Sequence, residues 1–446
     1  VFDEHVAELI DQRVASLGAD GKLVPDETGE IYQVNLLEKL IVPLLAKLGN
    51  LVLDGGIWLN TQRPEWNDAN NALVGQGLSM VTLYYMRRYV RFLQDLLDSE
   101  SGSFTVSEEV DTWLGETAAA LTALRAELDN SPQTDALRYQ SLSALGTAAA
   151  NFRERVYAQG MMGATRERDL EDVRGLLEDA LAIIDHSTAA NKRDDGLYHA
   201  YNIAEFNDNS VSVSHLYPML EGQVAALSAG SIDAEEAASV VEALFDSAVY
   251  RPGQNSFMLY PDRDLPGFLQ RNSLPEDRVR AIPLLHAMLE DNDGRIIVRD
   301  AEGCLRFSAD FTNEGDLNAA LDEIAGEYDA VASDRNAVLD LYESVFHHSE
   351  FTGRSGTMFG FEGLGSIYWH MVSKLLLALA ENYFGALDDG ASPAALHRLG
   401  ELYYRVRSGI GFNKTPAEYG AFPTDPYSHT PKHSGARQPG MTGQVK

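Results

Sequence analysis

The sequence predicts an all-α protein, an array of paired helices arranged in a ring, and three observations favour this class. Apolar residues recur three and four positions apart over most of the 446 residues, which is the spacing of one face of an α-helix. Short connections rich in Gly, Asp, Asn and Pro separate these stretches, as at 191–196 and 250–255. No period of about 20 to 50 residues repeats along the chain, which argues against a solenoid.

Eleven stretches have clear helical periodicity. They are 33–52, 79–98, 107–129, 134–158, 167–186, 215–228, 233–248, 278–290, 316–346, 366–384 and 393–408. The helix around 367–384 is apolar on nearly every side, which is typical of an inner helix that is buried all round. Residues 294–307 instead predict a small β-hairpin that turns at 300–303. Residues 409–446 lack periodicity and are predicted to form a C-terminal loop segment.

Composition excludes several classes of partner. Asp and Glu number 67 against 35 Lys and Arg, giving a formal charge of -32; such an acidic field disfavours nucleic acid and anionic membranes. No apolar run reaches transmembrane length. The single cysteine, Cys304, excludes an internal disulfide and a cysteine-based zinc site. The chain opens with an acidic amphipathic pattern and not a signal peptide, so we predict a cytoplasmic protein.

The stretch TQRPEWNDANNALVGQG (61–77) is the first candidate site. Asp68 is a candidate general acid, because a carboxyl beside an indole has a raised pKa and can protonate a leaving glycosidic oxygen. Trp66 offers a flat face for a sugar ring, and Glu65 lies beside it. The alternative is structural: Asp68 as a helix cap or turn residue, and Trp66 as a core anchor.

The glycine-rich stretch 353–371 is the second candidate site. Glycines permit close approach of a ligand to the backbone, and the start of a helix attracts anions. His370 is therefore a candidate phosphate ligand, with a core histidine bonded to a carbonyl as the alternative. Glu362, in the same stretch, is a candidate base, sugar ligand or helix cap.

Two further stretches carry polar side chains suited to ligands. Residues 429–446 are locally basic, which suits an oxyanion such as phosphate, although a flexible basic tail is the alternative. Residues 196–230 crowd aromatic and amide groups, Tyr201 among them, onto a predicted loop ahead of a helix, as carbohydrate sites do. His199 and His215 do not have the spacing of a metal pair, and we predict no metal site.

Taken in order, these stretches resemble motifs of the inverting glycoside phosphorylases of glycoside hydrolase family 94, the cellobiose phosphorylase-like group. PEWNDANNALVGQG (64–77) is similar to the family's D-W-N-D-G-M-N-x-V-G motif, and GLGSIYWH (363–370) to N-G-G-[IV]-F-C-H. GLYHAYN (196–202) resembles an R-A-Y segment, and MTGQV (441–445) a late T-G-S-A-G loop. The sequence departs from the family at Glu65, at 69–70 and at Gln444.

The resemblance implies an (α/α)6 toroid of the six-hairpin glycosidase type. It also implies reversible phosphorolysis of a β-linked gluco-oligosaccharide with inversion, yielding an α-sugar 1-phosphate. Inorganic phosphate would be a co-substrate, and no cofactor would be needed. The implied site comprises Asp68 as the catalytic acid, Trp66, Glu65, Tyr201 and Glu362 for sugar, and His370, Thr442, Gly443 and Arg437 for phosphate.

The resemblance also bears on the organisation of the polypeptide. The spacing between motifs leans toward the longer relatives that act on 1,2-β-oligoglucans, with a helical insertion around 101–190. Residues 1–446 would form the later, catalytic portion of a longer enzyme. The expected partners are then the remaining N-terminal part of the same polypeptide and a second copy in a homodimer.

Other functions remain open from the sequence. An inverting hydrolase would use Asp68 or Glu65 as acid and Glu362 or Glu418 as base, with the two carboxylates about 6.5–9.5 Å apart. A polysaccharide lyase with Tyr and His on a similar toroid is another alternative. A non-catalytic carbohydrate-binding protein is the alternative from a different class.

Overall fold

The computed structural model is mostly α-helical, with short strands and one larger sheet. It describes residues 4–26, 28–60, 73–130, 134–261, 267–347, 351–352, 358–359, 367 and 369–410. The helices of this part are α1 (Glu4–Leu17), α2 (Leu36–Leu48), α3 (Met80–Leu97), α4 (Glu108–Asn130), α5 (Asp135–Gln159), α6 (Leu170–Ala190), α7 (Leu220–Ser228), α8 (Ala234–Asp246), α9 (Phe268–Arg271), α10 (Glu276–Arg280), α11 (Pro283–Glu290), α12 (Glu314–Ile324), α13 (Val331–Phe346), α14 (Trp369–Asp388) and α15 (Pro393–Ser408).

The strands are short and all their pairings are antiparallel. They are β1 (Leu51–Val52), β2 (Gly56–Trp58), β3 (Gly77–Ser79), β4 (Ser103–Ser107), β5 (Thr165–Asp169), β6 (Tyr201–Asn207), β7 (Ser210–His215), β8 (Tyr250–Arg251), β9 (Ser256–Phe257), β10 (Ile297–Arg299), β11 (Leu305–Phe307), β12 (Phe351–Thr352) and β13 (Met358–Phe359). Five of them form one sheet, in the order β1-β2-β3-β6-β7.

The predicted helices are confirmed where apolar periodicity is strong, and two predicted stretches are each divided in two. The stretch 278–290 is interrupted ahead of α11, which has Pro283 in its first turn, because proline lacks the N–H that a continuous helix would need there. The stretch 316–346 is divided into α12 and α13. The predicted hairpin at 294–307 is confirmed as β10 and β11, which pair Ile297 with Phe307.

The five-stranded sheet was not predicted, and the expectation of a loop through 201–215 is wrong. These residues form β6 and β7, a hairpin closed by the pair Asn207 and Ser210. Asn209, in the two-residue turn, has φ 59°, a left-handed conformation that asparagine tolerates better than most residues. The helix predicted from residue 215 therefore begins only at Leu220.

The main hydrophobic core lies among packed helix neighbours. α3 packs against α6 and α7, α14 against α7 and α15, α4 against α5 and α6, and α15 against α8. α7 is buried along its length, with every residue from 220 to 227 shielded from solvent. Tyr84 of α3 is fully buried, and its hydroxyl donates to the carbonyl oxygen of His199 at 3.0 Å.

A second, separate core lies between residues 274 and 342. Most of its members come from α10 to α13 and the β10–β11 hairpin, and none of them belongs to the main core. Phe307 and Tyr342 meet at its centre with ring centroids 5.0 Å apart, edge to face. A contiguous stretch of chain with its own core is a compact structural unit.

α14 is not buried all round as the sequence predicted. Leu377 and Phe384 on this helix are 59% and 61% exposed, whereas Leu375 and Leu379 are fully buried. The prediction was wrong because the pattern reports apolar side chains on all sides of the helix, and no described element covers one of those sides.

Within the described residues, none of the helices combines the length and apolar character required to span a bilayer.

Candidate functional site

The residues that flank the stretch 61–72 are held at neighbouring strands of the sheet. Leu59 donates its N–H to the carbonyl oxygen of Gly77 at 2.9 Å, and the indole of Trp58 donates to the carbonyl oxygen of Gly75 at 2.9 Å. The stretch therefore connects β2 to β3, which pair Trp58 with Leu78. We call the flanking residues, 58–60 and 73–77, the base of this stretch, and the sheet fixes their position.

A cluster of aromatic side chains packs beside this base. Leu73, just after the stretch, is buried with Tyr201, Met219 and Tyr260 in one apolar group. β3 pairs with β6 so that Ser79 lies opposite Tyr201. The segments 61–77 and 196–217, both predicted to carry site residues, are thus neighbours in the fold.

Ile367, near the end of the glycine-rich stretch, lies in the same region. Met258 and Ile367 form an isolated antiparallel bridge, and Leu259 accepts a hydrogen bond at its carbonyl oxygen from the N–H of Leu220 at 2.8 Å. His370 follows as the second residue of α14, with an exposed side chain. The alternative of a buried core histidine is therefore wrong, whereas a role in binding phosphate stays a prediction.

Most of the predicted site residues lie outside the described residues. They are Glu65, Trp66, Asp68, Glu362, Arg437, Thr442 and Gly443, together with the alternative base Glu418. Tyr201 is described and is buried. The described framework brings together the segments flanking 61–72 and 353–366 and leaves the roles of these side chains as predictions.

His199 and His215 form a stacked pair that the sequence did not predict. Their rings lie 4.0 Å apart between centroids and are inclined by only 10°. His199 is buried, and its Nδ1 has no hydrogen-bond partner among the described residues. His215 is more exposed, and its Nδ1 lies 2.7 Å from Oδ1 of Asn202.

The amide of Asn202 decides the tautomer of His215. Its Nδ2 lies 2.8 Å from both the carbonyl oxygen of Gly55 and Oδ1 of Asn191, so it donates to both. Oδ1 of Asn202 is therefore an acceptor, and Nδ1 of His215 must carry the proton. The neutral ring then keeps a lone pair on Nε2, which suits an acceptor for a hydroxyl group such as that of a sugar.

A buried cluster of polar side chains holds Asn202 in this position. Asn191 donates to the carbonyl oxygens of Asp54 and Ser187, each at 2.8 Å. Asp54 has φ 59°, and its carboxylate contacts His186 at 3.0 Å and Arg138 at 3.4 Å. These contacts hold the β1–β2 turn against α6 and fix the position of Asn202.

Desolvation and nearby positive charges favour the neutral form of both stacked imidazoles. Desolvation, followed by the nearby His215 and Arg193, lowers the pKa of His199 to about 4. Desolvation, followed by Arg193 and Arg138, also lowers the pKa of His215. A burial-dominated shift disfavours the charged form of an imidazole, so the pair resists protonation at neutral pH.

We expect the free energy of unfolding to fall as the pH is lowered from about 6.5 to about 4. The pKa of His199 is about 6.5 in the unfolded chain and about 4 in the folded protein. Over that interval the unfolded state holds more protons, so acid favours unfolding. Urea midpoints at about pH 7 and about pH 5 should differ more for the wild type than for His199→Phe. An equal loss in both proteins would contradict this assignment.

Gln223 is a second feature that sequence patterns did not resolve. Its Oε1 accepts from the N–H of Tyr198 at 2.7 Å, and its Nε2 donates to the carbonyl oxygens of Tyr198 and Met219. The side chain is fully buried, so it fixes the segment ahead of β6 and the start of α7. Glu221, in the same helical turn, is also buried.

The strand β7 did carry a signal in the sequence. Strict alternation in VSVSH (211–215) is the pattern that would have identified it.

No group of three His, Cys, Asp or Glu side chains suited to a metal occurs in the part of the chain that the structure describes. His199 and His215 stack face to face, which is not how two imidazoles share an ion, since each would direct a ring nitrogen at it. The single cysteine, Cys304, is exposed.

Comparison with known families identifies one region of the chain. Residues 265–349 match GH149 phosphorylase insertion domain 2. The matched region contains α9 to α13 and β10–β11, and the second core lies entirely within it. No curated protein matches the chain.

The match supports an enzyme of the glycoside phosphorylase type, with a role in carbohydrate metabolism. The matched domain is one of family 149, so the assignment to family 94 and to a particular group of substrates stays a prediction. The sequence patterns had not set 265–349 apart, since its helices and hairpin have the same local character as their surroundings. A separate core is a property of tertiary packing, which local periodicity does not report.

Proposed function

We propose that this chain carries the catalytic portion of an inverting glycoside phosphorylase that acts on a β-linked gluco-oligosaccharide and releases an α-sugar 1-phosphate. The observation that carries the proposal is the match of residues 265–349 to a phosphorylase insertion domain, a region with a hydrophobic core of its own. The motif resemblance supplies the finer terms: an (α/α)6 toroid, β-glucan as substrate and inorganic phosphate as co-substrate.

In the proposed reaction Asp68 protonates the departing glycosidic oxygen. Phosphate attacks the anomeric carbon from the opposite face, so one C–O bond breaks as another forms and the configuration inverts. His370, Arg437, Thr442 and the amide of Gly443 would hold the phosphate. Because phosphate brings its own negative charge, this reaction needs no second carboxylate as base, unlike an inverting hydrolase.

The described framework supports this proposal by its arrangement. The base of 61–72, the aromatic group around Tyr201 and the bridge at Ile367 all meet near the start of α7. Proton donor, sugar platform and phosphate ligand must lie within a few ångströms of one another in the reacting complex. Segments anchored to one framework satisfy that requirement better than segments on separate parts of the chain.

We expect product formation to require phosphate. The chain, together with any remaining part of its polypeptide, would be incubated with β-linked gluco-oligosaccharides of each linkage, with and without phosphate. The expected result is a sugar 1-phosphate formed only with phosphate, and its anomeric proton in an NMR spectrum should report the α configuration. Running the reaction backward from α-glucose 1-phosphate and an acceptor sugar should release phosphate.

Other outcomes would identify the alternatives. Free sugar formed equally well without phosphate would identify a hydrolase and contradict the proposal. Products absorbing as unsaturated uronates would identify a lyase. Binding of oligosaccharide without any turnover, in a protein whose folding is verified by circular dichroism, would indicate a non-catalytic carbohydrate-binding protein.

A further inference from the structure

Three tyrosines lie in the apolar group beside the base of 61–72, and they differ in exposure. Tyr201 and Tyr260 are 3% and 6% exposed, so almost all of their ring surface already contacts protein. Tyr217 packs against the same group and is only partly buried. A ligand bound beside this base would therefore contact aromatic surface mainly at Tyr217.

The ring of Tyr217 is supported by its neighbours. Its centroid lies 5.8 Å from that of Tyr260, and the two rings are inclined by 57°. The next residue is Pro218, and a residue that precedes proline is restricted to extended backbone conformations. Both features reduce the number of positions that the ring of Tyr217 can occupy.

The link between β7 and α7, residues 216–219, is held at both ends. Leu216 donates its N–H to the carbonyl oxygen of Tyr201 at 3.3 Å. The carbonyl oxygen of Met219 accepts from Nε2 of Gln223 at 3.0 Å, and Gln223 is fully buried. A side chain that is presented by a fixed link binds a ligand with a smaller loss of conformational entropy.

We propose that Tyr217 packs its ring against a glucose unit of the substrate and thereby contributes to the selection of β-linked gluco-oligosaccharides. The ring substituents of a β-linked glucose unit are equatorial, so each face of the sugar exposes axial C–H groups. Such a face is apolar and can pack on an aromatic ring, and sites for small ligands combine aromatic surface with a few polar groups. The inference rests on the proposed function, because it takes a gluco-oligosaccharide as the substrate.

The kinetics of phosphorolysis test this role, with the chain and any remaining part of its polypeptide. Tyr217→Ala removes the ring and should raise KM for the oligosaccharide at least about tenfold, as truncation of an aromatic contact often does. KM for phosphate should stay within about twofold of the wild-type value, and kcat should change less than KM for the oligosaccharide, because the contact is made before and during the reaction.

Two further substitutions at the same position separate the ring from the rest of the side chain. Tyr217→Phe keeps the ring and should retain the wild-type KM for the oligosaccharide. Tyr217→Leu keeps apolar volume against Tyr260 but has no flat face, so it should raise that KM as Tyr217→Ala does, even if the alanine variant folds poorly. Tyr157→Ala is the matched control, because Tyr157 is 81% exposed on α5, and it should change neither KM.

Titration calorimetry with a series of β-linked gluco-oligosaccharides, without phosphate, distinguishes this inference from the proposed function. A wild type that makes no sugar 1-phosphate would contradict the proposed function, whereas weaker oligosaccharide binding in Tyr217→Leu than in the wild type would still support the ring contact. A wild type that neither reacts nor binds would overturn both.

Two results with an active wild type would overturn the inference alone. One is an oligosaccharide KM that is unchanged in both Tyr217→Ala and Tyr217→Leu. The other is a Tyr217→Phe variant that loses as much affinity as Tyr217→Ala, because the hydroxyl group and not the ring would then be responsible. Circular dichroism of each variant would verify that its helical content is that of the wild type.

Discussion

Asp68→Asn is expected to lower the rate of phosphorolysis of a natural gluco-oligosaccharide on the order of 10²–10⁴-fold, the usual contribution of a general acid. The amide occupies the same volume and keeps a hydrogen-bonding group, but it has no proton to give to the departing oxygen. The loss should lie in kcat as well as in kcat/KM, because the proton is needed in the transition state. Initial rates of sugar 1-phosphate formation, with purified protein and saturating phosphate, measure both constants.

The substrate provides the sharpest control on this role. An activated aryl glucoside has a leaving group that departs without a proton, so Asp68→Asn should lose far less activity on it than on the oligosaccharide. Asp208→Asn, an exposed aspartate in the β6–β7 turn, is the matched substitution away from the site and should leave both rates unchanged. An equal loss on both substrates would show that Asp68 supports folding or binding and does not act as the acid.

The helices were predictable because their signal is local. Apolar residues three and four apart placed α3 at 79–98, against the observed Met80–Leu97, and α15 at 393–408, which is exact. Ser79 and Ser392 accept hydrogen bonds at their side chains from the first turn of each helix, as preferred N-cap residues do. Capping and periodicity agree at these positions, so the boundaries follow from the sequence.

The sheet was not predictable in the same way, because its strands are short and join distant parts of the chain. β3 has three residues and pairs with β6, more than a hundred positions later. Such a pairing depends on the burial of Leu78 and Tyr201 on opposite faces, which no local pattern encodes. Only β7, with its strict alternation of valine and serine, carried a local strand signal.

The same distinction between local signals and long-range contacts applies to the candidate site. Resemblance of short motifs identified segments, and the framework then brought the flanks of three of them together around Leu73, Tyr201 and Ile367. The stacked His199 and His215 and the amide of Asn202 were beyond the sequence, since their geometry depends on the turn at Asp54 and on α6. Residue types indicate which segments could form a site, whereas tertiary contacts determine the tautomer of a histidine and the orientation of its ring.

Phe307→Ala is expected to destabilise the unit formed by 265–349 by about 3–5 kcal/mol, the usual cost of removing a buried phenyl ring. Phe307 is almost fully buried, and its ring contacts Tyr342 at 5.0 Å between centroids. Its backbone N–H and carbonyl are both bonded to the side chain of Asn272 at 2.9 Å. The substitution keeps those bonds, so the loss should come from the cavity alone.

Scanning calorimetry would measure this effect and test whether the unit unfolds independently. Because the second core shares no residue with the main core, the transition of the 265–349 unit should move down by more than about 10 °C while the main transition stays in place. Phe268→Ala makes the same change at a ring that is 51% exposed and should cost less than about 1 kcal/mol. A single transition that moves as a whole in Phe307→Ala would mean that the two cores unfold together, and the matched region would then be part of one cooperative domain.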